Sequence, residues 1–192
     1  CSSDLIVDGR HIVIGAGATQ IILGLLHVLK KETGAATAWA NPPHFSRFPY
    51  LAEFAGLEWA KKRNSLLITT VPNNPDGALL VHKNTDILDL TYNWPQYLVS
   101  PKLIDHPITV FSLSKATGHA STRIGWAVIQ DEMTARALEQ HIEYSTSGLS
   151  LDSQLTAEAI LNSQLNNDYT VFEDGRKTLE ERKRLIESIR PR

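Results

Sequence analysis

The chain has 192 residues, 19 Lys+Arg against 21 Asp+Glu, a net charge of −2, and 42% hydrophobic and 21% charged residues. That length supports one domain with a sizeable core, and a near-neutral balance with dispersed basic residues argues against nucleic acid or an anionic membrane surface as a partner. No apolar run approaches the roughly 18 residues needed to span a bilayer, and the single cysteine, Cys1, excludes an internal disulfide framework.

Ile12 to Gln20 (IVIGAGATQ) reads as a short strand that passes through Gly15 and Gly17 into a helix over Ala18 to Glu32. Ile21, Ile22, Leu25, Leu26 and Leu29 keep a helical period, Lys30 and Lys31 suit the negative C-terminal end, and Gly34 is a natural stop. The backbone amides of Gly17, Ala18 and Thr19, with the Thr19 hydroxyl, would suit a phosphate at the positive end of the helix dipole. A dinucleotide-binding turn is the rival reading. It needs an acidic residue at the end of the second strand, and Ala36 to Asn41 (ATAWAN) offers none. A strand-to-helix turn without a ligand is the plainest alternative.

Asn41 to Phe48 (NPPHFSRF) reads as a Pro-rich loop whose aromatic rings cover the core. Leu66 to Gly77 (LLITTVPNNPDG) is a buried strand that ends in a turn, and turn chemistry alone accounts for its Asn, Pro, Asp and Gly. Ile87 to Pro95 (ILDLTYNWP) places Asp89 after a short apolar run and Tyr92 three residues later, where a strand would leave the sheet. Taken alone, Asp89 also suits a helix cap.

Ile108 to Phe111 and Ile124 to Ile129 are both strand-like, with small residues from Ala116 to Thr122 between them. Ser112, Ser114, Lys115 and Arg123 therefore surround one bend. Most lysines beside strands snorkel to solvent, because an ammonium is costly to bury. What distinguishes Lys115 is its company: two hydroxyls and a guanidinium can together donate several hydrogen bonds to a phosphate dianion. A lysine competent for Schiff-base chemistry beside a phosphate cup points to pyridoxal phosphate. Beyond this bend the pattern is helical over Asp131 to Thr146, Asp152 to Leu165 and Asp168 to Arg190, with Glu180 to Arg184 a solvated charged face. The seven histidines show no metal-ligand spacing; His27 reads as a packed or surface residue and His119 as a hydrogen-bonder that orders its loop.

The S-x-S-K string ending at Lys115, followed eight residues later by Arg123, resembles the cofactor-lysine segment of fold-type I pyridoxal-phosphate enzymes. More narrowly, S-K-x-T-G-H-x-x-x-R-I-G-W over Ser114 to Trp126 resembles the plant tryptophan aminotransferase and alliinase family, departing from it at Ser121 and Thr122, where the family usually has glycine or serine followed by serine. P-N-N-P-D-G at Pro72 to Gly77 and D-x-x-Y-x-W-P at Asp89 to Pro95 extend the resemblance. It implies an α/β fold, the aminotransferase fold-type I large domain, with a mostly parallel sheet and helices on both faces. It also implies site roles. Lys115 would hold the cofactor as an internal aldimine and act as base. Asp89 would pair with the protonated pyridine nitrogen, with Asn74 and Tyr92 at the phenolic oxygen. Gly17, Ala18, Thr19, Ser112, Ser114 and Arg123 would form the phosphate cup, and Phe45 would stack on the ring, with His44 beside it as the alternative.

The function so implied is a homodimeric aminotransferase acting on a small-molecule L-amino acid and a keto acid, with an aromatic, tryptophan-like substrate favoured. Elimination of a β-sulfur group by a carbon-sulfur lyase, as in alliinases, is the alternative, and a non-catalytic or truncated homologue is a second. A start at Cys1 without methionine and an end at Arg192 inside a charged helical pattern read as a fragment. Residues 1–165 would then be an N-terminally truncated cofactor-binding large domain, and 166–192 the start of a helix leading to a missing small domain. On that reading the chain alone is expected to be inactive. The substrate-carboxylate arginine would lie further on, so neither Arg190 nor Arg192 is assigned to it. Cysteine poverty favours a reducing, cytoplasmic compartment and leaves open a targeting segment or cysteine-rich module ahead of Cys1.

Overall fold

A computed structural model describes residues 9–98, 104–166 and 170–189. Cys1, the expected ends of the last helix at Asp168 and Arg190, and Arg192 lie outside the described residues.

Strand β1 (His11–Gly15) leads directly into helix α1 (Ala18–Thr33), as its apolar period requires. Ile21, Ile22, Leu25, Leu26 and Leu29 are all buried, and α1 stops where Gly34 turns left-handed (φ 70°) and donates its N–H to Lys30 O at 3.0 Å. Strand β2 (Thr37–Trp39) follows, then helix α2 (Phe48–Phe54) and strand β3 (Glu58–Trp59). Neither α2 nor β3 has a signal in the sequence; seven and two residues are too short for a period to register. Strands β4 (Leu66–Thr70), β5 (Ile87–Asp89) and β6 (Ile108–Ser112) come next. Helix α3 (Leu113–Ala116), a 3₁₀ turn (Ala120–Thr122) and strand β7 (Gly125–Ile129) lead to helices α4 (Glu132–Thr146), α5 (Leu151–Asn166) and α6 (Thr170–Ile189). Asp131 lies just outside α4, where its side chain accepts from Thr134 N.

The strands form one sheet in the order β1-β7-β6-β5-β4-β2-β3. Pairs from β6 through β5, β4 and β2 to β3 are parallel, while β7 runs antiparallel to both β1 and β6. The expected mostly parallel sheet is present, with β7 as its reversed strand. All five residues of β6 are buried, as a strand covered on both faces demands. One face (Ile87, Ile108, Val110, Ala127, Ile129) packs on α1, α2 and α4. The other presents Leu88, Phe111 and Val128 to Trp94, and Trp126 on that face meets Ala157 and Ile160 of α5. Parallel strands β4, β5 and β6 end side by side at Thr70, Asp89 and Ser112. That C-terminal edge is where open α/β sheets bind ligands.

Candidate active site

The strand ends, the start of α1 and the turn after β5 enclose a cleft of about 210 Å³ whose lining includes Asp89, Asn74, Tyr92, Lys115, Ser114 and Arg123. Ala18, Thr19, Phe45 and Ser112 line it as well. Of the residues that the resemblance places around the cofactor, Gly17 and the alternative His44 are not part of the wall; Gly17 lies against Arg123, which is part of it.

The reason is steric. Gly17 has φ 81°, and a Cβ there would sit 2.5 Å from Arg123 Nη2, so any side chain at residue 17 would displace the guanidinium from its place against the start of α1. Gly17 N is also turned back to Gly15 O (2.7 Å), so it is not available to a ligand, contrary to the expectation of three donating amides. The first turn of α1 carries no side-chain cap, which leaves the amides of Ala18 and Thr19 as the open donors. Gly125 on β7 permits the same closeness from below: a Cβ there would meet Ala18 N at 2.5 Å and Gly17 C at 2.6 Å. Arg123, itself left-handed at φ 54°, donates through Nη1 to Ala120 O (2.9 Å) and Ser114 Oγ (3.5 Å) and through Nη2 to Ala16 O (3.3 Å). Guanidinium, hydroxyl and helix amides therefore converge on one side of the cleft, a set of donors that could hold an anion.

Lys115 is presented differently from the expected loop. Leu113–Ala116 closes one helical turn, with Ser112 as N-cap accepting from Ser114 N (3.2 Å). Ser112 Oγ thus accepts one hydrogen bond and keeps its own O–H to donate. Lys115 Nζ lies 5.5 Å from the centre of the Tyr92 ring, and Asn74 Nδ2 donates to Tyr92 Oη at 3.3 Å.

Asp89 ends β5 at 5% exposure. Oδ1 accepts from Thr91 N (3.0 Å) and from the Thr91 hydroxyl, and Oδ2 has only a long contact with Thr70 Oγ1 (3.4 Å). Burial holds its pKa above the ordinary carboxylate range, against the Thr91 and Thr70 hydrogen bonds that pull it down. Asp89 is therefore a buried acceptor aligned by Thr91, with one oxygen lightly engaged. The helix-cap alternative does not apply, since β5 runs into a turn.

Phe45 packs edge-on to Phe48 (5.5 Å between ring centres) and reaches the cleft, while His44 points the other way, among Trp39, Trp59 and Phe48. His119 orders its loop through Nδ1 and Thr117 Oγ1 (3.0 Å), and His27 stacks on His141 of α4. Sequence reasoning missed Thr91 and Gln96. A hydroxyl two residues after Asp89 was a findable signal, since short polar side chains bond locally at that spacing. Gln96, whose Nε2 donates to the carbonyls of Lys115 (2.8 Å) and Ala116 (2.9 Å), gave none, because its partners are far along the chain. Among the described residues no group of three or more potential metal ligands is present, and no helix is long and apolar enough to cross a membrane.

Known proteins resemble this chain in sequence and in fold. Rice (Oryza sativa subsp. japonica) tryptophan aminotransferase-related protein 2 is 36% identical over 177 residues, covering 81% of this chain and 35% of the relative. Alliin lyase of Allium cepa var. aggregatum is 31% identical over 174 residues, covering 79% of this chain and 39% of the relative. The chain thus spans well under half the length of these curated relatives. Among solved structures, a single mutant of Thermus thermophilus aspartate aminotransferase superposes with a TM-score of 0.77 at 17% identity, covering 92% of this chain and 56% of that one, which establishes the aminotransferase fold. The allinase (Alliinase_C) family model matches residues 3–190, and the chain belongs to that family.

Proposed function

We propose that this chain is the cofactor-binding part of a pyridoxal-phosphate-dependent aminotransferase acting on an L-amino acid, with an aromatic, tryptophan-like substrate favoured. The observation that carries the reading is the convergence of Lys115, Asp89, Asn74, Tyr92 and Arg123 on one cleft at the C-terminal strand edge. These residues fit the group. The anion site of Arg123, Ser114, Thr19 and the amides of Ala18 and Thr19 suits its phosphate, with Ser112 as a further donor. The lightly engaged oxygen of Asp89 suits its pyridine nitrogen, and the ring of Phe45 suits its face. Residues 1–165 form the binding unit on this reading, α6 is the helix that leaves it, and the whole protein works as a homodimer.

When bound, pyridoxal phosphate supplies a carbonyl for amine exchange and a ring that accepts an electron pair from the substrate Cα. Every other task falls to the chain. A carboxylate at Asp89, kept in place by Thr91, would hold the proton on the pyridine nitrogen and so keep the ring electron-poor. Asn74 and Tyr92, hydrogen-bonded to each other, would hold the phenolic oxygen as donors. Lys115 takes the proton from Cα and can deliver it elsewhere, which is the proton movement transamination needs. Elimination of a β-sulfur group would use the same residues. The transferase is preferred because the lyase is the more specialised branch of the same chemistry.

The test is to incubate the full-length protein with pyridoxal phosphate, reduce with borohydride, digest, and search for a pyridoxyl adduct on the Lys115 peptide. An adduct there is expected, with a keto acid that keeps the substrate side chain and no release of ammonia, sulfenate or thiol. Its absence on folded protein refutes the reading in favour of a non-catalytic homologue, and sulfur elimination would make the protein a lyase.

A further inference from the structure

Helix α3, which carries Lys115, is one turn long, and a single turn is not stable by itself because few hydrogen bonds offset the dihedrals it fixes. Its place is set from outside. Ser112 caps the N-terminal end, while the carbonyls of Lys115 and Ala116 at the other end receive the two N–H groups of Gln96, at 2.8 and 2.9 Å. Gln96 therefore acts as a distant C-cap for the lysine helix.

The turn that carries Gln96 is in turn fastened to α6. Arg176 donates to Pro95 O at 2.7 Å and Leu98 O at 3.4 Å, on either side of Gln96. Phe172 stacks on Trp94 (6.0 Å between ring centres, 11° between planes). Gly175 faces the Gln96 stem, and a Cβ at Gly175 would lie only 3.1 Å from Gln96 Cβ. Phe172, Gly175 and Arg176 share one helical face by their spacing. From Lys177 to Ile189 every residue of α6 is exposed. The helix thus touches this turn and leaves the remainder of its length unpacked against the described residues.

We propose that Gln96 is a positioning residue for Lys115, and that α6 sets this position through Gly175 and Arg176, so that a displacement of α6 changes the reactivity of the lysine. The inference rests on the assignment of Lys115 as the cofactor lysine. It assigns to α6 a role in tuning the site although none of its residues lines the cleft.

The experiment uses the full-length protein with Gln96→Met, which keeps the length but has no donor, Arg176→Met, and Arg176→Lys, which keeps one. Three quantities are read: amide exchange of the α3 peptide without cofactor, the rate of borohydride-trapped adduct formation at Lys115, and the pH midpoint of the visible absorbance of the lysine-bound cofactor. Gln96→Met and Arg176→Met should speed α3 exchange, slow adduct formation by about tenfold or more, as expected for losing about two net hydrogen bonds, and shift the midpoint in the same direction. Arg176→Lys should recover part of the rate. Wild-type rates and midpoints in both methionine variants overturn the proposal even if α3 exchange rises, because Gln96 would then be a structural cap alone. If Gln96→Met does not fold, Arg176→Met decides by the same readings. Absence of any Lys115 adduct in the wild-type protein refutes the cofactor assignment and takes this proposal with it, whereas a wild-type adduct with unaffected variants refutes the proposal alone.

Discussion

Gly125→Ala tests the anion site at its narrowest point. Gly125 pairs with Gly15 on β1 and Ser112 on β6, so its backbone is fixed from both sides in the sheet. An added Cβ would lie 2.5 Å from Ala18 N and 2.6 Å from Gly17 C, both main-chain atoms, whereas ordinary contact begins at 3.4 Å. The shortfall of about 0.9 Å cannot be relieved by rotating a side chain, so the first turn of α1 must move away from the sheet. Overpacking of this kind costs about 1–3 kcal/mol, or a fall in melting temperature of about 2–12 °C for a domain of this size. The larger effect should be on ligand binding. Shifting Ala18 and Thr19 by nearly 1 Å weakens their hydrogen bonds to a phosphate, and losing one charged hydrogen bond at about 1.5–3 kcal/mol corresponds to roughly ten- to a hundredfold in affinity. The assay is an absorbance titration with pyridoxal phosphate and with unphosphorylated pyridoxal. Gly125→Ala should lose affinity for the phosphorylated compound and keep it for the other. Gly118→Ala is the control: at φ 79° with open space around it, it meets the left-handed backbone penalty of about 1–2 kcal/mol without disturbing α1. An unchanged preference for the phosphorylated compound in Gly125→Ala would refute the assignment of this helix start as the anion site.

Other substitutions probe the remaining links. Burial raises the Asp89 pKa in the folded protein above its unfolded value, so in the absence of cofactor the folded state binds the proton more tightly and this group's contribution to stability falls as pH rises through that window. Asp89→Asn, which never ionises, should therefore make the cofactor-free protein melt higher than wild type at neutral pH, with the gain shrinking towards acid; a gain that grows on acidification would contradict the sign. Phe45→Ala should weaken pyridoxal phosphate binding by about three- to tenfold through loss of ring stacking, while His44→Ala, outside the cleft, should leave it unchanged; the reverse pattern would transfer the stacking role to His44. Leu138 is fully buried between α4 and α1, and Leu138→Ala should lower unfolding stability by about 2–5 kcal/mol in denaturant titration without altering the affinity per folded molecule.

Local signals carried much of the fold and the candidate site. The period of Ile21 to Leu29 and the left-handed stop at Gly34 specify α1, because both depend only on neighbouring residues. The strings around Asn74, Asp89 and Lys115, on which the proposed chemistry rests, are legible for the same reason: each is short, and each follows a strand that its own apolar run defines. What the chain order leaves open is which strand lies beside which. The sheet joins Gly15 to Gly125 and Asp89 to Val110, and such long-range pairings depend on burial and chain closure that no local pattern records. Tertiary packing also directed Phe45, rather than His44, into the cleft, since adjacent residues in the 41–48 loop face opposite sides. It formed the one-turn helix at Lys115, which Leu113 to Ala116 would not hold unaided, by placing Gln96 against its carbonyls. The sequence by itself therefore determined the kinds of groups available for chemistry. Their distances, and which amides and carbonyls remained open, were decided only when the sheet brought residues far apart in the chain to one edge.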